Sequence, residues 1–176
     1  MPELRLARHS DIPALQALIA ASGRALSVGY YSAEQAEAIT HHVFGVDTQL
    51  IDDQTYFVIE AEQRIVACGG WSKRRTLFGG DQAKRGPDPL LDPATEAARI
   101  RAFFVDPSMA RQGMGRRLMD ACVAAAKLAG FSRLELVSTM PGEPLYLASG
   151  FAVMERFELD LPGGVRVPVS RMGQGI

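Results

Sequence analysis

The sequence predicts a mixed α/β fold, with seven strands and about four helices in a single domain spanning residues 1–176. Three observations support this prediction. The length of 176 residues is typical of one domain with one hydrophobic core. Apolar residues make up 47% of the chain, and β-branched runs alternate with stretches whose apolar residues recur at helical spacing. Neither an internal repeat nor a segment with the composition of a domain linker is visible in the sequence.

In the first half of the chain, hydrophobic spacing and end signals predict three strands and two helices. Ser10-Asp11-Ile12-Pro13 combines a capping side chain with an early proline, and S-x-x-Q at 32–35 is a capping-box pattern. The runs TYFVIEA and RIVACGGW are β-branched and aromatic, which predicts an antiparallel hairpin. The predicted elements are a strand around 4–6, a helix from Ser10 to Gly23, a helix from Ser32 to about Val43, and strands at 55–61 and 64–71.

The second half is predicted to contain four strands and two helices after a long loop. Residues 79–95 are rich in turn-forming residues and lack periodicity, so we expect an exposed loop there. Apolar residues at helical spacing follow Gly113, which indicates an amphipathic helix that ends at Gly130. The predicted elements are strands at 98–105, 133–138, 151–159 and 165–170, helices at 114–129 and 143–149, and a frayed tail.

Composition narrows the classes of function. A formal net charge of −1 argues against nucleic-acid binding, since proteins that follow a phosphate backbone are usually strongly basic. The first residues lack the apolar run of a signal peptide, and no segment has the length of a membrane-spanning helix. Cys68 and Cys122 are far apart, and no Cys/His cluster has metal-ligand spacing, so no metal site is predicted. We therefore expect a cytoplasmic protein without a membrane partner, whose own partner is a small molecule or another protein.

The most informative segment is the predicted strand, turn and helix start at 103–118. A helix start presents unpaired backbone N–H groups and the positive end of the helix dipole. Gly113 and Gly115 leave these donors open to an anion, while Arg111 and Arg116 add positive charge. The segment therefore predicts a phosphate or pyrophosphate site. It lacks the G-x-x-x-x-G-K-[ST] sequence of a nucleotide-hydrolysing P-loop, and Leu118 replaces the third glycine of a Rossmann fingerprint.

The run FFVDPSMARQGMGRRLM resembles motif A of the GCN5-related N-acetyltransferase (GNAT) family, whose pattern is Q/R-x-x-G-x-G/A. Both glycines match in the segment 110–115, although Ala110 replaces the first Gln or Arg, a charge that Arg111 could supply. Further on, PLYLASGF resembles the Y-x-x-x-G-F segment of the same family. The order of elements is similar over essentially the whole chain. Two motifs in the correct order are much more specific than either motif alone.

The resemblance implies that acetyl-CoA is the cosubstrate. It implies a largely antiparallel sheet of seven strands that splays between the fourth and fifth, with the cosubstrate in the gap. The pantetheine arm would pair with the main chain there, much as an added strand does, and the pyrophosphate would lie on the helix start. The implied contacts are Phe103, Phe104, Val105, Arg111, Gln112, Gly113, Met114, Gly115 and Arg116.

Acetyl transfer needs a neutral amine, a polarised carbonyl and a proton for the departing thiolate. The resemblance implies Tyr146 as the proton donor. Many family members place a glutamate base on the strand before motif A, but this chain has Arg99 at that position, and arginine cannot act as a base. Glu96 is the remaining candidate base, acting through a water molecule. A surface position is the alternative for Glu96, and a packing role is the alternative for Tyr146.

Two groups of residues are candidates for binding the acceptor. Arg99 and Arg101 lie two residues apart on one strand face, where either could pair with a substrate carboxylate or phosphate; surface charges are the alternative. The resemblance places acceptor recognition between the first two helices, where Tyr30 and Tyr31 flank a turn. These residues could instead form a lid over the core.

Direct acetyl transfer to a small-molecule amine is the function that we expect. The main alternative is a non-catalytic acyl-CoA-binding or sensing module of the same fold, which the missing glutamate favours. A transferase for longer acyl groups is a more distant alternative. Dimers are common in this family, so the resemblance implies a homodimer. The sequence does not identify the acceptor.

Overall fold

The computed structural model describes residues 2–176. Its elements are β1 (Glu3–Leu6), α1 (Ile12–Ser27), α2 (Ala33–His42), α3 (Thr48–Asp52), β2 (Tyr56–Ala61), β3 (Arg64–Ser72), β4 (Ala98–Val105), α4 (Met114–Leu128), β5 (Arg133–Thr139), α5 (Glu143–Ala148), β6 (Ala152–Leu161) and β7 (Val165–Gly175).

The seven strands form one sheet in the order β1-β2-β3-β4-β5-β7-β6. Each pair of neighbours is antiparallel except β4 and β5, which are parallel. Only two residue pairs join β4 to β5, Ala98 with Leu134 and Arg99 with Glu135. Beyond these pairs the two strands separate. The predicted fold class, a mixed and largely antiparallel sheet that splays between the fourth and fifth strands, is confirmed.

Helices cover both faces of the sheet. Val58 on β2 packs in a cluster with Leu15 of α1, while its neighbour Ile59 packs with Leu118 of α4. Successive strand residues point to opposite faces, so α1 and α4 lie on opposite sides of the sheet. Helix α2 packs on the same strands, β6 and β7, that continue the sheet beyond the splay. The start of α4 and the end of α2 are thereby held near the gap between β4 and β5.

A β-bulge lies in the part of β4 that has separated from β5. Cys68 pairs with Phe104 and Gly70 with Arg101, so Ala102 and Phe103 together face Gly69. Ala102 adopts a positive φ of 53°. A side chain at Gly69 would place its Cβ 2.6 Å from the ring of Phe103, so glycine is required opposite the bulge. A bulge bends its strand and re-aims its side chains.

The structure departs from the predicted elements at three places. Helix α1 continues past Gly23 to Ser27, because Gly23 serves as a contact point: a Cβ there would lie 2.6 Å from the ring of Phe44. The short helix α3 was not anticipated; it is capped by Asp47, which accepts the N–H of Gln49. The predicted frayed tail is instead paired, since β7 follows β5 as far as Gly175.

The loop 73–97, between β3 and β4, is fixed to the body of the protein by charged groups. Arg74 forms an ion pair of 2.7 Å with Asp53, and Lys84 forms one of the same length with Asp47. Asp88 accepts the N–H of Thr76 at 2.9 Å. Although much of the loop is exposed, as expected, these contacts hold residues 77–80 against the gap between β4 and β5.

Candidate active site

The separation of β4 and β5 creates a cleft. From Ile100 onward β4 has no paired residue on β5, and each strand retains its other neighbour, β3 or β7. The cleft contains a cavity of about 110 Å³. Its walls come from β4 (100–104), β5 (137–139), the end of α2, the loop residues 77–80, and α5. An added chain could pair with the open edge of β4 in this gap.

Helix α4 begins with a row of backbone N–H groups, from Arg111 to Arg116. Within residues 2–176, none of the backbone N–H groups from Arg111 to Arg116 donates a hydrogen bond to the protein. Gly113 caps the helix with a φ of 84°, and Arg111 has a φ of 61°. Left-handed residues of this kind occur in the anion-binding nests of other proteins. Unpaired N–H groups at a helix start, together with the helix dipole, can bind a phosphate group.

Positive side chains surround these donors. Arg111 and Arg116 are exposed, and neither forms an ion pair with another residue in the described part of the chain. Arg117 is also exposed but donates to the carbonyl of Pro2 at 3.1 Å. Gln112 makes only a long contact of 3.4 Å with the carbonyl of Ser108. Two guanidinium groups therefore remain available for an anion at the start of α4.

Gly115 connects the two sequence motifs in space. Its missing side chain lets α5 approach α4, because a Cβ at this position would lie 2.9 Å from Cδ2 of Leu145. Met114, the residue before it, is buried against Ile59 and Val66. The glycine thus has a packing role as well as the expected role of exposing backbone donors. As a result, Tyr146, which follows Leu145, lies on the side of the cleft nearest α4.

Tyr146 is buried and lines the cleft. Its ring packs edge-on against Phe103 and Phe151, with centroid separations of 6.1 and 5.9 Å. Among the described residues no hydrogen-bond partner of its hydroxyl is found, although burial raises the pKa of the phenol. The group therefore keeps its proton at neutral pH and can donate it in a hydrogen bond to another molecule. Phe104, by contrast, packs its ring against Phe44 on the other face of the sheet.

We expected either arginine of β4 to pair with a substrate anion, and the structure shows both of them bound to groups of the protein itself. Arg101 is 3% exposed, pairs with Asp47 at 3.0 Å, and donates to the carbonyl of Gly79 at 2.6 Å. Arg99 does not line the cleft; it donates to Glu135 at 3.3 Å and to the carbonyl of Ala97 at 3.1 Å. Burial lowers the pKa of both guanidinium groups. Their donors are used within the protein, which leaves no free guanidinium in the cleft to bind a substrate anion.

The remaining predicted acceptor and base residues lie outside the cleft lining, as Arg99 does, whereas Arg101 is part of it. Tyr31 donates to the carbonyl of Pro168 at 2.6 Å and accepts the N–H of Met140 at 2.9 Å, so its hydroxyl joins the chain before α5 to β7. Tyr30 is exposed. Glu96 lies in the loop 73–97, where it accepts the N–H of Asp92 at 3.0 Å. The structure thus brings Tyr146 and residues 103–104 together at the cleft, but not Glu96, Tyr30, Tyr31 or Arg99.

Asp47 and the apolar wall of the cleft were not predicted from the sequence. Asp47 sits one residue before α3, and the Asp-Thr pair that caps this helix was the available signal. The wall is formed by side chains from segments far apart in the chain. It includes Val43, Phe44, Leu77, Phe78, Leu159 and Val169.

The two cysteines do not supply a nucleophile. Both thiols are buried, and burial raises the pKa of Cys68 to about 12 and raises that of Cys122 further. A thiolate is the reactive form, and such thiols remain protonated at neutral pH.

Across residues 2–176, no group of three or more metal-ligating side chains is arranged to hold a metal ion. None of the helices in this part of the chain is both long and apolar enough to cross a membrane.

Solved structures with the same fold are numerous. A GCN5-related N-acetyltransferase from Rhodopseudomonas palustris matches with a TM-score of 0.71 and 18% identity, covering 100% of this chain and 96% of that one. The PaiA N-acetyltransferase from Thermoplasma acidophilum, solved in complex with coenzyme A, matches with a TM-score of 0.68 and 14% identity, covering 100% and 99%. The ribosomal-protein-S18-alanine N-acetyltransferase from Escherichia coli matches with a TM-score of 0.60 and 16% identity, covering 100% and 94%.

No curated protein sequence matches this chain. The family model described as "Acetyltransferase (GNAT) family" matches residues 21–151, which is well over half of the chain and includes both the start of α4 and Tyr146. The protein therefore belongs to the GNAT acetyltransferase family.

Proposed function

We propose that the protein transfers an acetyl group from acetyl-CoA directly to the amine of a small molecule. The observation that carries this proposal is the row of unpaired backbone N–H groups from Arg111 to Arg116, placed beside a cleft that contains a buried tyrosine. Membership of the GNAT family supports the acyl-transfer chemistry. The coenzyme A complex of the T. acidophilum protein supports the choice of cosubstrate.

Different residues around the cleft would bind the pyrophosphate, the pantetheine arm and the thioester of acetyl-CoA. The pyrophosphate would accept hydrogen bonds from the N–H groups at 111–116, with Arg111 and Arg116 neutralising its charge. The pantetheine arm would lie along the open edge of β4, beside Phe103 and Phe104, in the place that a paired strand would occupy. This arrangement directs the thioester toward the interior of the cleft, where Tyr146 lies.

In the reaction, the neutral amine attacks the carbonyl carbon of the thioester. A C–N bond forms and the C–S bond breaks, so the amine loses one proton and coenzyme A leaves as a thiol after gaining one. Tyr146 donates a hydrogen bond to the departing sulfur and stabilises its negative charge. Because burial raises the pKa of this phenol, it keeps its proton at neutral pH and can act as the donor.

The two unpaired, buried cysteines are typical of a reducing compartment, which supports a cytoplasmic location. The homodimer implied by the family resemblance remains an expectation that sedimentation analysis can test.

A binding measurement and a turnover measurement test the proposal together. Calorimetry should detect acetyl-CoA binding to the wild type and to Tyr146→Phe with similar affinity, because the hydroxyl is not a pyrophosphate ligand. CoA release over a panel of amines should show turnover that falls about 100-fold in Tyr146→Phe, a typical loss for a proton donor. Tight binding without turnover on any amine would favour the alternative of a non-catalytic module. Equal turnover in the two proteins would remove Tyr146 from the mechanism.

A further inference from the structure

We propose that the acceptor is a weakly basic amine on an apolar body, and that it enters the cleft already neutral because the cleft contains no side chain that could remove its proton. This inference rests on the proposed function and names the substrate class of the same site.

The wall of the cleft is predominantly apolar. On one side, the two residues after α2, Val43 and Phe44, line the cleft together with Leu77 of the loop 73–97. On the other side, β5, β7 and β6 contribute Val137, Val169 and Leu159. The polar groups between them are mainly backbone and hydroxyl groups, such as that of Ser138, which already donates to the carbonyl of Thr139 at 2.7 Å. An apolar acceptor would gain free energy by removing this surface from water.

The charged side chains around the cleft are already neutralised. Arg101 is the charged residue of the lining, and it is paired with Asp47, which also binds Lys84 at 2.7 Å. Tyr146 is the other titratable residue of the lining, and it is neutral. The lining within the described residues includes neither a carboxylate nor a histidine.

Carboxylates on the elements next to the cleft form ion pairs with arginines. Glu135 of β5 binds Arg99 and Arg171, and Glu143 of α5 binds Arg156 at 2.7 Å. Glu158 and Asp160 on β6 pair with Arg166, and Glu155 is exposed on β6 outside the lining. In the loop 73–97, Asp81 accepts the N–H of Thr48 and Asp88 accepts that of Thr76; neither carboxylate lines the cleft. His41 and His42 lie on α2 but do not line the cleft.

These observations determine which protonation state of the acceptor the cleft admits. An ammonium group entering it would lose its water shell without gaining a counter-ion, which is strongly unfavourable. The protein must therefore select the neutral fraction from solution. At pH 7 this fraction is about one in 2,500 for an amine with the pKa of lysine, about 10.4, but about one in ten for an amine with a pKa near 8. A weakly basic amine is consequently the favoured acceptor by a factor of about 100 or more.

A series of amines with the same shape and graded basicity tests this inference. We would compare 2-phenylethylamine with its β-fluoro and β,β-difluoro analogues, and include spermidine and glycine as charged acceptors. CoA release would be measured from pH 6 to pH 11, so that the pKa of each amine falls within the range. We expect kcat/KM at pH 7 to rise severalfold with each fluorine, and each amine to give a pH profile with its inflection at the amine's own pKa. Spermidine should be at least 100-fold poorer than the difluoro amine.

A matched pair of variants adds a carboxylate to the cleft. Leu77→Glu should raise the ratio of spermidine to phenylethylamine turnover at least tenfold, while Leu77→Gln, which adds similar bulk without charge, should not. An unchanged ratio in Leu77→Glu would overturn the role of the missing carboxylate.

Two further outcomes would overturn the inference while leaving acetyl transfer intact. One is a preference of the wild type for spermidine or glycine. The other is a single inflection shared by all amines and abolished by Glu96→Gln, which would identify a protein base. If no amine of either class releases CoA, the proposed function fails and this inference fails with it.

Discussion

Arg101 and Asp47 form an ion pair of 3.0 Å, in which the two residues are only 3% and 2% exposed. The same guanidinium donates to the carbonyl of Gly79, and the same carboxylate accepts from Lys84. One buried pair thereby joins β4, the start of α3 and the loop 73–97. Since this loop carries Leu77 and Phe78 into the cleft wall, the pair helps to define the shape of the cleft.

We expect Arg101→Met to lower the free energy of unfolding by about 3–5 kcal/mol, because Asp47 would remain buried with Lys84 as its only cation. Urea denaturation measures this change. Arg166→Met is the matched control: its pair with Asp160 is largely exposed, so the loss should stay below about 1 kcal/mol. Similar losses in the two variants would contradict a special role for the buried pair. The double variant Arg101→Met/Asp47→Asn should be more stable than the sum of the single changes indicates.

Gly113→Ala should weaken acetyl-CoA binding about tenfold, because a methyl group would project from the middle of the proposed pyrophosphate site, and that factor corresponds to about 1.4 kcal/mol. The φ of 84° also makes alanine unfavourable there by about 1–2 kcal/mol of stability. Gly130→Ala, at the other end of α4 with a φ of 94°, carries the same backbone penalty away from the site. Calorimetry with acetyl-CoA should therefore separate the two variants, whereas thermal unfolding should not. Equal affinities would exclude the start of α4 as the pyrophosphate site.

Loss of the hydroxyl should lower the free energy of unfolding at Tyr31 but leave it nearly unchanged at Tyr146. Tyr31→Phe removes two hydrogen bonds and leaves the N–H of Met140 and the carbonyl of Pro168 without this partner, so we expect destabilisation by about 1–3 kcal/mol. Tyr146→Phe breaks no hydrogen bond within the described residues, so its stability should change by less than about 0.5 kcal/mol. Denaturation curves of both variants test the contrast. A large loss of stability in Tyr146→Phe would indicate a structural role instead.

Glu143 should make stability depend on pH on the acid side of neutrality. Its carboxylate accepts from Arg156 at 2.7 Å and from Ser170 at 3.0 Å, and the arginine lowers its pKa. The folded state then binds the proton less readily than the unfolded state, whose pKa is about 4.3. The stabilisation is fully present above the unfolded-state pKa and is lost as the pH falls from there through the lower pKa of the folded state.

We expect the wild type to exceed Glu143→Gln in stability by up to about 1 kcal/mol at pH 7, and the difference to shrink as the pH is lowered from 5 to 3. Chemical denaturation at several pH values measures this difference. A gap that is constant with pH would show that the carboxylate charge does not contribute.

Local patterns were sufficient to predict most of the elements and the donor row at the start of α4. Helix starts, glycine positions and β-branched runs are short-range signals, so a prediction such as β4 at 98–105 agrees with the structure. The unpaired N–H groups at 111–116 follow from where a helix begins, which the sequence shows through Gly113 and Gly115. The family resemblance added the splay between the fourth and fifth strands.

Long-range partners could not be predicted in this way. Whether Arg101 faces solvent, a substrate or a buried Asp47 depends on a residue more than fifty positions away, and on a bulge at Ala102 that no local signal marked. The same holds for Tyr31, whose partner carbonyl belongs to Pro168. The sequence by itself thus determined most of the elements and the row of unpaired N–H groups at the start of α4, because both depend on neighbours along the chain. Only the tertiary structure decided which charges are neutralised and how apolar the cleft is, because burial and pairing depend on segments that meet only in the folded protein.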